Sequence, residues 1–191
     1  MNPEIKNELK PRFDISQFKN KFEKEYQHFF EEIIVPRKTV LLREGETSQQ
    51  IFFVKQGALR LWANKNGEEA TFRFCFENEA ASSFLGNEPS IFTIETLENS
   101  TIIVLKIKDF KLLLDMLPEY KNEFITLLTK RVGDYAKLLL SHLTKTPEER
   151  YIDILKNNPE ILLRVPQHYI ATYLGITPVS LSRIRNRVMK K

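Results

Sequence analysis

The residues whose types and spacing could do chemistry are concentrated near the end of the chain, in residues 167–184 (QHYIATYLGITPVSLSRI). A small residue, Ala171, stands where two helices could cross, and Gly175 supplies the positive φ angle that a tight turn requires. Thr177 can then cap a second helix that begins at Pro178. This spacing predicts a helix-turn-helix, whose second helix presents hydrogen-bonding side chains to the base edges of DNA.

The predicted second helix has an inward and an outward face. The helix-packing wedge is formed by apolar residues, namely Ile170, Leu174, Ile176, Leu181 and Ile184, and Val188 continues it. The outward residues predicted to face the major groove are Val179, Ser182, Arg183 and Asn186. Arg183 is the predicted bidentate contact to a guanine edge. The residues predicted to lie near phosphates are Arg185, Arg187, Lys190 and Lys191, with Thr177 and Ser180 at the helix N-terminus. A basic helical hairpin without DNA contact is the alternative.

Charge is divided unevenly along the chain. Residues 161–191 contain six basic side chains and no acidic one, a balance of +6. Since the whole chain has 29 basic and 25 acidic residues, residues 1–160 hold 23 and 25, a balance of −2. A basic end on a slightly acidic body is typical of a nucleic-acid contact, although a solvated basic tail would have the same composition.

Two helical stretches and a β-rich region must position this motif. Residues 13–34 place Phe18, Phe22, Tyr26, Phe29 and Ile33 at spacings of three and four, which predicts a helix with an aromatic face. Six short β-rich runs follow, bounded by turn residues: TVLLRE, QIFFVK, ALRLWAN, EATFRFCF, IFTIETL and STIIVLKI. Many short strands at regular spacing predict a β-sandwich or barrel.

Beyond the strands, DFKLLLDML predicts a short helix, and Pro118 opens a longer one that extends to about Leu143. An apolar stripe runs along the longer helix for about seven turns. It could pack on the chain's own barrel or on a second copy of the chain. The residues predicted for a dimer interface are Phe124, Leu128, Val132, Tyr135, Leu139 and His142. Residues 143–147 predict a hinge, because Thr146 suits an N-cap and Pro147 the first helical position.

Several classes of protein are disfavoured. No apolar run approaches the roughly 20 residues that cross a bilayer, and the first ten residues lack a signal-peptide core, so we expect a cytoplasmic protein without a membrane partner. The chain has one cysteine, Cys75, which is expected to be a packed thiol. No nucleophile–base, phosphate-loop or metal-ligand spacing is present, so no catalytic or metal-binding residue is predicted and an enzyme is the weakest interpretation.

From about Val35 onward the chain resembles the Crp/Fnr superfamily of cyclic-AMP-receptor-like regulators. The resemblance lies in residues 43–46 (REGE), residues 51–61 (IFFVKQGALRL) and the C-terminal RVPQHYIATYLGITPVSLSRIR, which is similar to a branch common in bacteroidete-type bacteria. It implies an α+β fold: an N-terminal jelly-roll β-barrel in residues 1–117, a long dimerisation helix in 118–145 and a C-terminal winged helix-turn-helix in 146–191. Because the sequence stops at Lys191, we expect short or absent wing strands. The implied partners are double-stranded DNA, a second copy of the chain and RNA polymerase.

The resemblance is incomplete in the effector site. Family members that bind cyclic AMP carry a glutamate and an arginine in a short phosphate cassette, whereas residues 79–93 contain neither arginine nor lysine. A buried cyclic phosphate without a cation would lose its strongest contact, so we predict an effector other than cyclic AMP. No cofactor is assigned. The residues predicted to contact an unknown small-molecule effector are Ser82, Ser83, Phe84, Ser90, Phe92 and Thr93; the alternative is that they only pack a loop.

Two functions therefore compete. The first is a homodimeric DNA-binding transcription regulator that responds to an effector. Its operator should differ from that of the cyclic-AMP receptor type, because Pro178 and Val179 occupy positions where that type carries Arg-Glu. The second is a small-molecule sensor or partner-binding module with little sequence-specific DNA binding. Replacing Arg183 with alanine distinguishes them, because only the first loses a sequence preference.

Overall fold

The computed structural model describes residues 24–83 and 88–190. It opens with a short 3₁₀ helix, Lys24–Phe29. Eight strands follow: β1 (Phe30–Val35), β2 (Val40–Leu42), β3 (Gln50–Gln56), β4 (Leu59–Lys65), β5 (Glu68–Cys75), β6 (Ala80–Ala81), β7 (Thr93–Thr96) and β8 (Ser100–Lys106). Six helices complete the chain: α1 (Ile107–Met116), α2 (Glu119–Thr144), α3 (Pro147–Asn157), α4 (Pro159–Arg164), α5 (Gln167–Tyr173) and α6 (Pro178–Met189). This mixed α+β order agrees with the predicted fold class.

The strands form two four-stranded antiparallel sheets, which we call together the β-roll. The first sheet has the order β1-β8-β3-β6 and the second β2-β7-β4-β5. Between them lies an inner core that includes Phe52, Val54, Leu59, Leu61 and Ile102. The six predicted β-rich runs all correspond to strands, because their alternating apolar residues place one face of each strand in this core.

Each sheet is also covered on its outer face. Ile51 and Phe53, which alternate with the inner residues of β3, pack with Phe110 and Leu113 of α1. The outer face of the second sheet is covered by the C-terminal helices, as described below. The molecule therefore consists of four layers, in the order helices, first sheet, second sheet and C-terminal helices.

The predicted helix over residues 13–34 is wrong in its last part. Residues 13–23 lie outside the described residues, and residues 30–35 are strand β1, paired antiparallel with β8 from Phe30↔Leu105 to Val35↔Ser100. Phe30 packs under α1, whereas Ile33 and Val35 pack against the inner core. The segment FEEIIV fits both a helical and an alternating pattern, and the hydrogen bonds to β8 decide between them.

The predicted N-cap at Thr146 is confirmed. The Thr146 side chain accepts a hydrogen bond from the Glu149 backbone and the Glu149 carboxylate accepts one from the Thr146 backbone, which forms a capping box, with Pro147 in the first turn. Asn158 then separates α3 from α4. Lys145 and Thr146 thus form a short link between α2 and α3, at the position of the predicted hinge.

Candidate nucleic-acid interface and its contacts with the β-roll

The turn between α5 and α6 is built as the sequence predicts. Gly175 has φ +65°, a left-handed conformation that glycine adopts without steric cost. The Thr177 Oγ1 atom accepts a hydrogen bond of 3.2 Å from the Ser180 backbone N–H and lies 3.0 Å from the Ser180 hydroxyl. Ala171 is fully buried where α5 meets its neighbours. The helix-turn-helix geometry therefore follows from these local interactions.

One apolar cluster holds α6 in place. Leu181 and Ile184 of α6 are buried with Ile170 and Leu174 of α5, and Tyr151 and Ile154 of α3 complete the cluster. Ile176 and Val188 pack against its edge. Because this core fixes the rotation of α6 about its axis, it also fixes which side chains point outward.

The outward face of α6 carries the predicted base-reading residues. Its exposed members are Val179, Ser182, Arg183 and Asn186, and we call them the reading face. Among the predicted phosphate contacts, Arg187 and Lys190 are also exposed, whereas Arg185 is half-buried. Arg187 forms an ion pair with Glu148 of α3, with 3.1 Å between Nε and Oε2. A phosphate at Arg187 would therefore have to share this guanidinium with Glu148 or replace the carboxylate.

The reading face belongs to a unit that is docked against the β-roll. The Thr172 and Thr71 hydroxyl oxygens lie 2.7 Å apart, which joins α5 to β5. The rings of Tyr173 and Phe74 are 5.3 Å apart, and Phe74 shares the apolar cluster of the helix-turn-helix. The C-terminal helices and the second sheet thus have one continuous core.

Arg60 of β4 lies at the centre of this contact and is fully buried. Its Nε donates to the Thr71 hydroxyl at 2.8 Å, and its Nη1 donates to Glu95 Oε1 at 3.0 Å. The Tyr169 ring of α5 covers the guanidinium at 3.8 Å, a cation–π distance. Burial, followed by the charge of Glu95, raises the pKa of Tyr169. The un-ionised Tyr169 ring therefore covers the buried ion pair of Arg60 and Glu95.

A second polar contact joins α4 to the β-roll. Arg164 donates to both Glu77 oxygens, at 2.7 and 2.8 Å, to the Gly57 carbonyl at 3.1 Å and to Glu98. The hydrogen bonds from Arg164 lower the pKa of Glu77 to about 2, although burial opposes the shift.

Gly57 has φ +103°, and a Cβ atom there would lie 2.2 Å from the Ser100 Oγ atom. Position 57 therefore requires a glycine, because any other side chain would clash with Ser100.

Arg164 is paired with carboxylates of the β-roll and is not part of a basic surface at the C-terminal end. The sequence count includes it in the basic C-terminal end, but the structure turns its side chain toward the carboxylates of the β-roll. The basic residues that remain for DNA on the described part of the chain lie on α6 and immediately after it. The predicted nucleic-acid footprint is therefore smaller and more localised than the sequence count of charges indicates.

The residues predicted to contact an effector differ in their hydrogen bonds and in their burial. The Ser90 hydroxyl donates to the Phe92 carbonyl at 2.6 Å, and the Thr93 hydroxyl accepts from the Glu44 backbone at 3.1 Å. Phe92 is buried in the inner core, with its ring 5.1 Å from that of Phe72. Ser82 donates to the Ser83 carbonyl at 2.6 Å, whereas the buried Ser83 hydroxyl has no hydrogen-bond partner among the described residues. Phe84 lies outside the described residues.

Some of the residues predicted for a dimer interface are packed within the chain, and others are exposed. Phe124 packs on the chain's own β-roll, with its ring 4.8 Å from that of Phe110. The exposed group consists of Leu128, Val132, Tyr135 and Leu139, with exposed fractions of 42, 68, 39 and 60%. His142 has its Nε2 atom 3.3 Å from the Tyr173 carbonyl, which brings the end of α2 beside α5. The start of the stripe thus packs within the chain itself, and packing of the exposed group on a second copy stays a prediction.

Sequence reasoning did not single out Arg60, Arg73, Glu77 or Arg164 as site residues. Arg60 and Arg73 lie in alternating strands, where an arginine is ordinarily an exposed outward residue. The only available signal is that both stand between apolar residues, in ALRLW and FRF. Glu95, the buried carboxylate partner of Arg60, is 35 residues away in sequence and meets it only in the folded chain.

Comparisons with known proteins agree with this architecture. Residues 32–116 match the family model of the cyclic nucleotide-binding domain. Over 160 residues the chain is 24% identical to the transcriptional activator protein FnrA of Stutzerimonas stutzeri, a match that covers 77% of this chain and 66% of that relative. The structure is similar to that of FixK2 from Bradyrhizobium japonicum, with a TM-score of 0.75 and 16% identity over 84% of this chain and 85% of that one. It is also similar to a CooA variant from Carboxydothermus hydrogenoformans, with a TM-score of 0.73 and 18% identity over 91% and 83% of the two chains.

Within the described residues, no helix combines the length and apolar character needed to span a bilayer.

Proposed function

We propose that this chain is a homodimeric DNA-binding transcription regulator of the Crp/Fnr type, whose β-roll responds to a small-molecule effector. The observation that carries the proposal is the exposed reading face of α6, which is held outward by a buried wedge and a capped N-terminus. We assign the sensing role to residues 1–117, dimerisation to residues 118–145 and DNA binding to residues 146–191.

The reading face supports recognition in the major groove. Its four residues provide a guanidinium, an amide, a hydroxyl and an apolar side chain, each of which has a complementary group on base edges. Arg183 is the proposed bidentate contact to guanine, and Val179 the proposed contact to a thymine methyl group. Arg185, Arg187 and Lys190, with Thr177 and Ser180 at the helix N-terminus, are the proposed phosphate contacts.

The exposed stripe on α2 supports a homodimer. Ile125, Leu128, Val132, Tyr135, Leu139 and His142 follow one another at spacings of three and four, which is the a and d pattern of a two-stranded coiled coil. Two copies packed along this stripe would present two reading faces. A twofold-symmetric dimer of this kind binds an inverted repeat with half-sites about one helical turn, roughly 34 Å, apart.

The effector is proposed to be a molecule other than cyclic AMP, because residues 79–93 offer no cation to a cyclic phosphate. RNA polymerase is a proposed partner of the DNA-bound regulator.

The test is selection of bound sequences from a random duplex pool, at two salt concentrations and with or without cyclic AMP. We expect enrichment of one inverted repeat, whose affinity falls steeply with salt and is unchanged by cyclic AMP. Arg183→Ala should reduce affinity for that repeat about 10- to 100-fold. Lys156→Ala, which removes an exposed charge from α3 outside the reading face, is the matched control and should change affinity little. Sequence-blind binding by the wild type, also when cell extract supplies an effector, would instead identify a sensor or partner-binding module.

A further inference from the structure

A carboxylate lies beside the helix that is proposed to bind DNA. Glu148 stands in the first turn of α3, directly after Pro147. Its Oε2 atom is 3.1 Å from the Nε atom of Arg187, which belongs to the last turn of α6. Because residues 161–191 contain no acidic side chain, a negative charge next to α6 must come from another segment, and α3 supplies it.

Arg187 lies on the same side of α6 as the reading face. It follows Arg183 by four residues, a spacing that places two side chains on one face of a helix. The Arg187 side chain is 60% exposed, whereas that of Glu148 is only 23% exposed. The guanidinium is thus accessible to a DNA phosphate while a carboxylate already holds it.

The start of α3 fixes Glu148 in this position. The next residue, Glu149, is occupied by the capping box with Thr146, so Glu148 is the acid of the first turn that pairs with α6. A negative charge in the first turn of a helix is stabilised by the positive end of the helix dipole. The carboxylate is therefore a lasting part of the surface around Arg187.

A surface cavity of about 570 Å³ adjoins the ion pair, between the start of α3 and α6. Besides Glu148 and Arg187, it is lined by Thr146, Pro147, Glu149, Ile152 and Ile184. This space allows the Glu148 side chain to turn away when another anion takes its place at Arg187.

The ion pair has little to contribute to the fold. The rotation of α6 is already fixed by the buried side chains of Leu181 and Ile184. Partly exposed ion pairs change stability only slightly, because water solvates both charges nearly as well. A carboxylate close to a DNA backbone, in contrast, repels the phosphates and occupies a cation that would otherwise bind one of them. The main effect of the pair therefore falls on DNA binding.

We propose that Glu148 limits the affinity of α6 for duplex DNA, because it occupies Arg187 in the free protein and must be exchanged for a phosphate on binding. The proposal rests on the DNA binding that we propose for α6, with Arg187 as a phosphate contact, but not on a sequence preference. Since phosphates are the same in every sequence, Glu148 limits the affinity for duplexes of any sequence.

The test compares the wild type with Glu148→Gln, which keeps the size of the side chain and removes its charge. Fluorescence anisotropy measures binding to the selected repeat and to a scrambled duplex of equal length, at about 50 mM and about 200 mM salt. We expect Glu148→Gln to bind both duplexes about three- to tenfold more tightly at the lower salt concentration. The gain should shrink about threefold at the higher salt concentration, because one further cation is free for the phosphates.

The sign of the change distinguishes this role from a structural one. If Glu148 only held α6 in place, Glu148→Gln would weaken binding. Weaker or unchanged binding by a variant whose circular dichroism spectrum matches that of the wild type would therefore overturn the proposal.

Two further variants separate the ion pair from a general effect of net charge. Asp153→Asn removes the same charge from α3, but its carboxylate pairs with Lys145, so this control should change affinity little. In an Arg187→Gln background, Glu148→Gln should increase affinity no more than Asp153→Asn does. An equal gain with and without Arg187, or an equal gain in Asp153→Asn, would contradict competition for Arg187.

The scrambled duplex makes the outcome independent of the sequence selection described above. A chain that selects no repeat, but binds the scrambled duplex more tightly as Glu148→Gln, retains this role of Glu148 and contradicts the sequence-specific regulator. A chain that selects an inverted repeat, but whose affinity does not rise in Glu148→Gln, retains the regulator and contradicts this role. If neither the wild type nor Glu148→Gln binds either duplex, both proposals are wrong.

Discussion

Arg164 at the end of α4 and Glu77 of the β-roll form a forked ion pair across 87 residues of sequence, with N–O distances of 2.7 and 2.8 Å. The same guanidinium contacts Glu98 and the Gly57 carbonyl, so one side chain ties the C-terminal helices to three loops of the β-roll. Forked arginine–carboxylate pairs are the strongest and most directional of protein ion pairs. The docked position of the reading face therefore depends in part on this contact.

Removal of the pair should destabilise the docked arrangement. Because Arg164 and Glu77 are each about two-thirds buried, we expect Arg164→Met or Glu77→Gln to lower the free energy of unfolding by about 1 to 2 kcal/mol. Urea unfolding near neutral pH measures this change. Lys145→Met, which removes the more exposed pair with Asp153, is the matched control and should cost less than about 0.5 kcal/mol. Equal effects of the two changes would contradict a special role for Arg164.

The same pair should make stability depend on pH in acid. The pKa of Glu77 is lowered to about 2 by the hydrogen bonds from Arg164, so the carboxylate binds its proton less readily in the folded than in the unfolded chain. Its contribution is present above the ordinary carboxyl pKa and is lost as pH falls toward about 2. The difference in unfolding free energy between the wild type and Glu77→Gln should therefore shrink between about pH 5 and pH 2. A difference that stays constant over this range would contradict the assignment.

Arg60 should be among the costliest polar residues to replace. Arg60→Met would leave Glu95, whose side chain is 11% exposed, without its cation and would remove the guanidinium under Tyr169. Breaking one side of a buried pair costs about 3 to 5 kcal/mol. A Glu95→Gln change added to Arg60→Met removes the stranded charge and should recover part of the loss in urea unfolding. If Arg60→Met alone costs less than about 1 kcal/mol, the pair is not the structural centre of the contact.

The exposed stripe of α2 should control the oligomeric state. Val132 is 68% exposed and occupies an a position of the proposed seam, so Val132→Asp places a charge at the centre of the interface. We expect this variant to sediment as a monomer while the wild type sediments as a dimer. Thr126→Asp, which introduces the same charge at an exposed position off the seam, should leave the dimer intact. A monomeric wild type would contradict the proposed dimer.

Cys75 should report on opening of the β-roll. The thiol is buried in the inner core, and burial raises its pKa to about 11. Thiolate is the reactive form, so labelling with a disulfide reagent at about pH 8 should be slow in the folded chain and should accelerate with urea as the chain unfolds. Because the sequence has one cysteine, the signal needs no further variant. Rapid labelling without denaturant would show that this part of the core opens readily.

Much of the fold could be predicted from local pattern. The turn of the helix-turn-helix depends on Gly175, Thr177 and Pro178, which act within a few residues of one another, and the structure confirms the positive φ and the cap. The capping box at Thr146 is equally local. The alternation of apolar residues likewise identified six of the eight strands, because each strand must bury one face.

The errors and omissions have a common physical origin. Residues 30–34 fit a helical spacing, yet they form a strand because β8 offers them a ladder of hydrogen bonds that the local pattern does not contain. Strand β6 is two residues long and is defined by its pairing with β3 alone. In both cases the deciding partner lies far along the chain.

By itself, the sequence determined the types of most elements, the capped turns and the outward chemistry of α6, because those properties depend on side chains within one or two turns of each other. Only the tertiary structure decided the roles of the three arginines. Arg60 is buried under Tyr169, Arg73 points into the β-roll and Arg164 grips Glu77. The reason is physical: the state of a charged side chain is set by burial and by counter-charges, and for Arg60 and Arg164 the counter-charges come from segments distant in sequence.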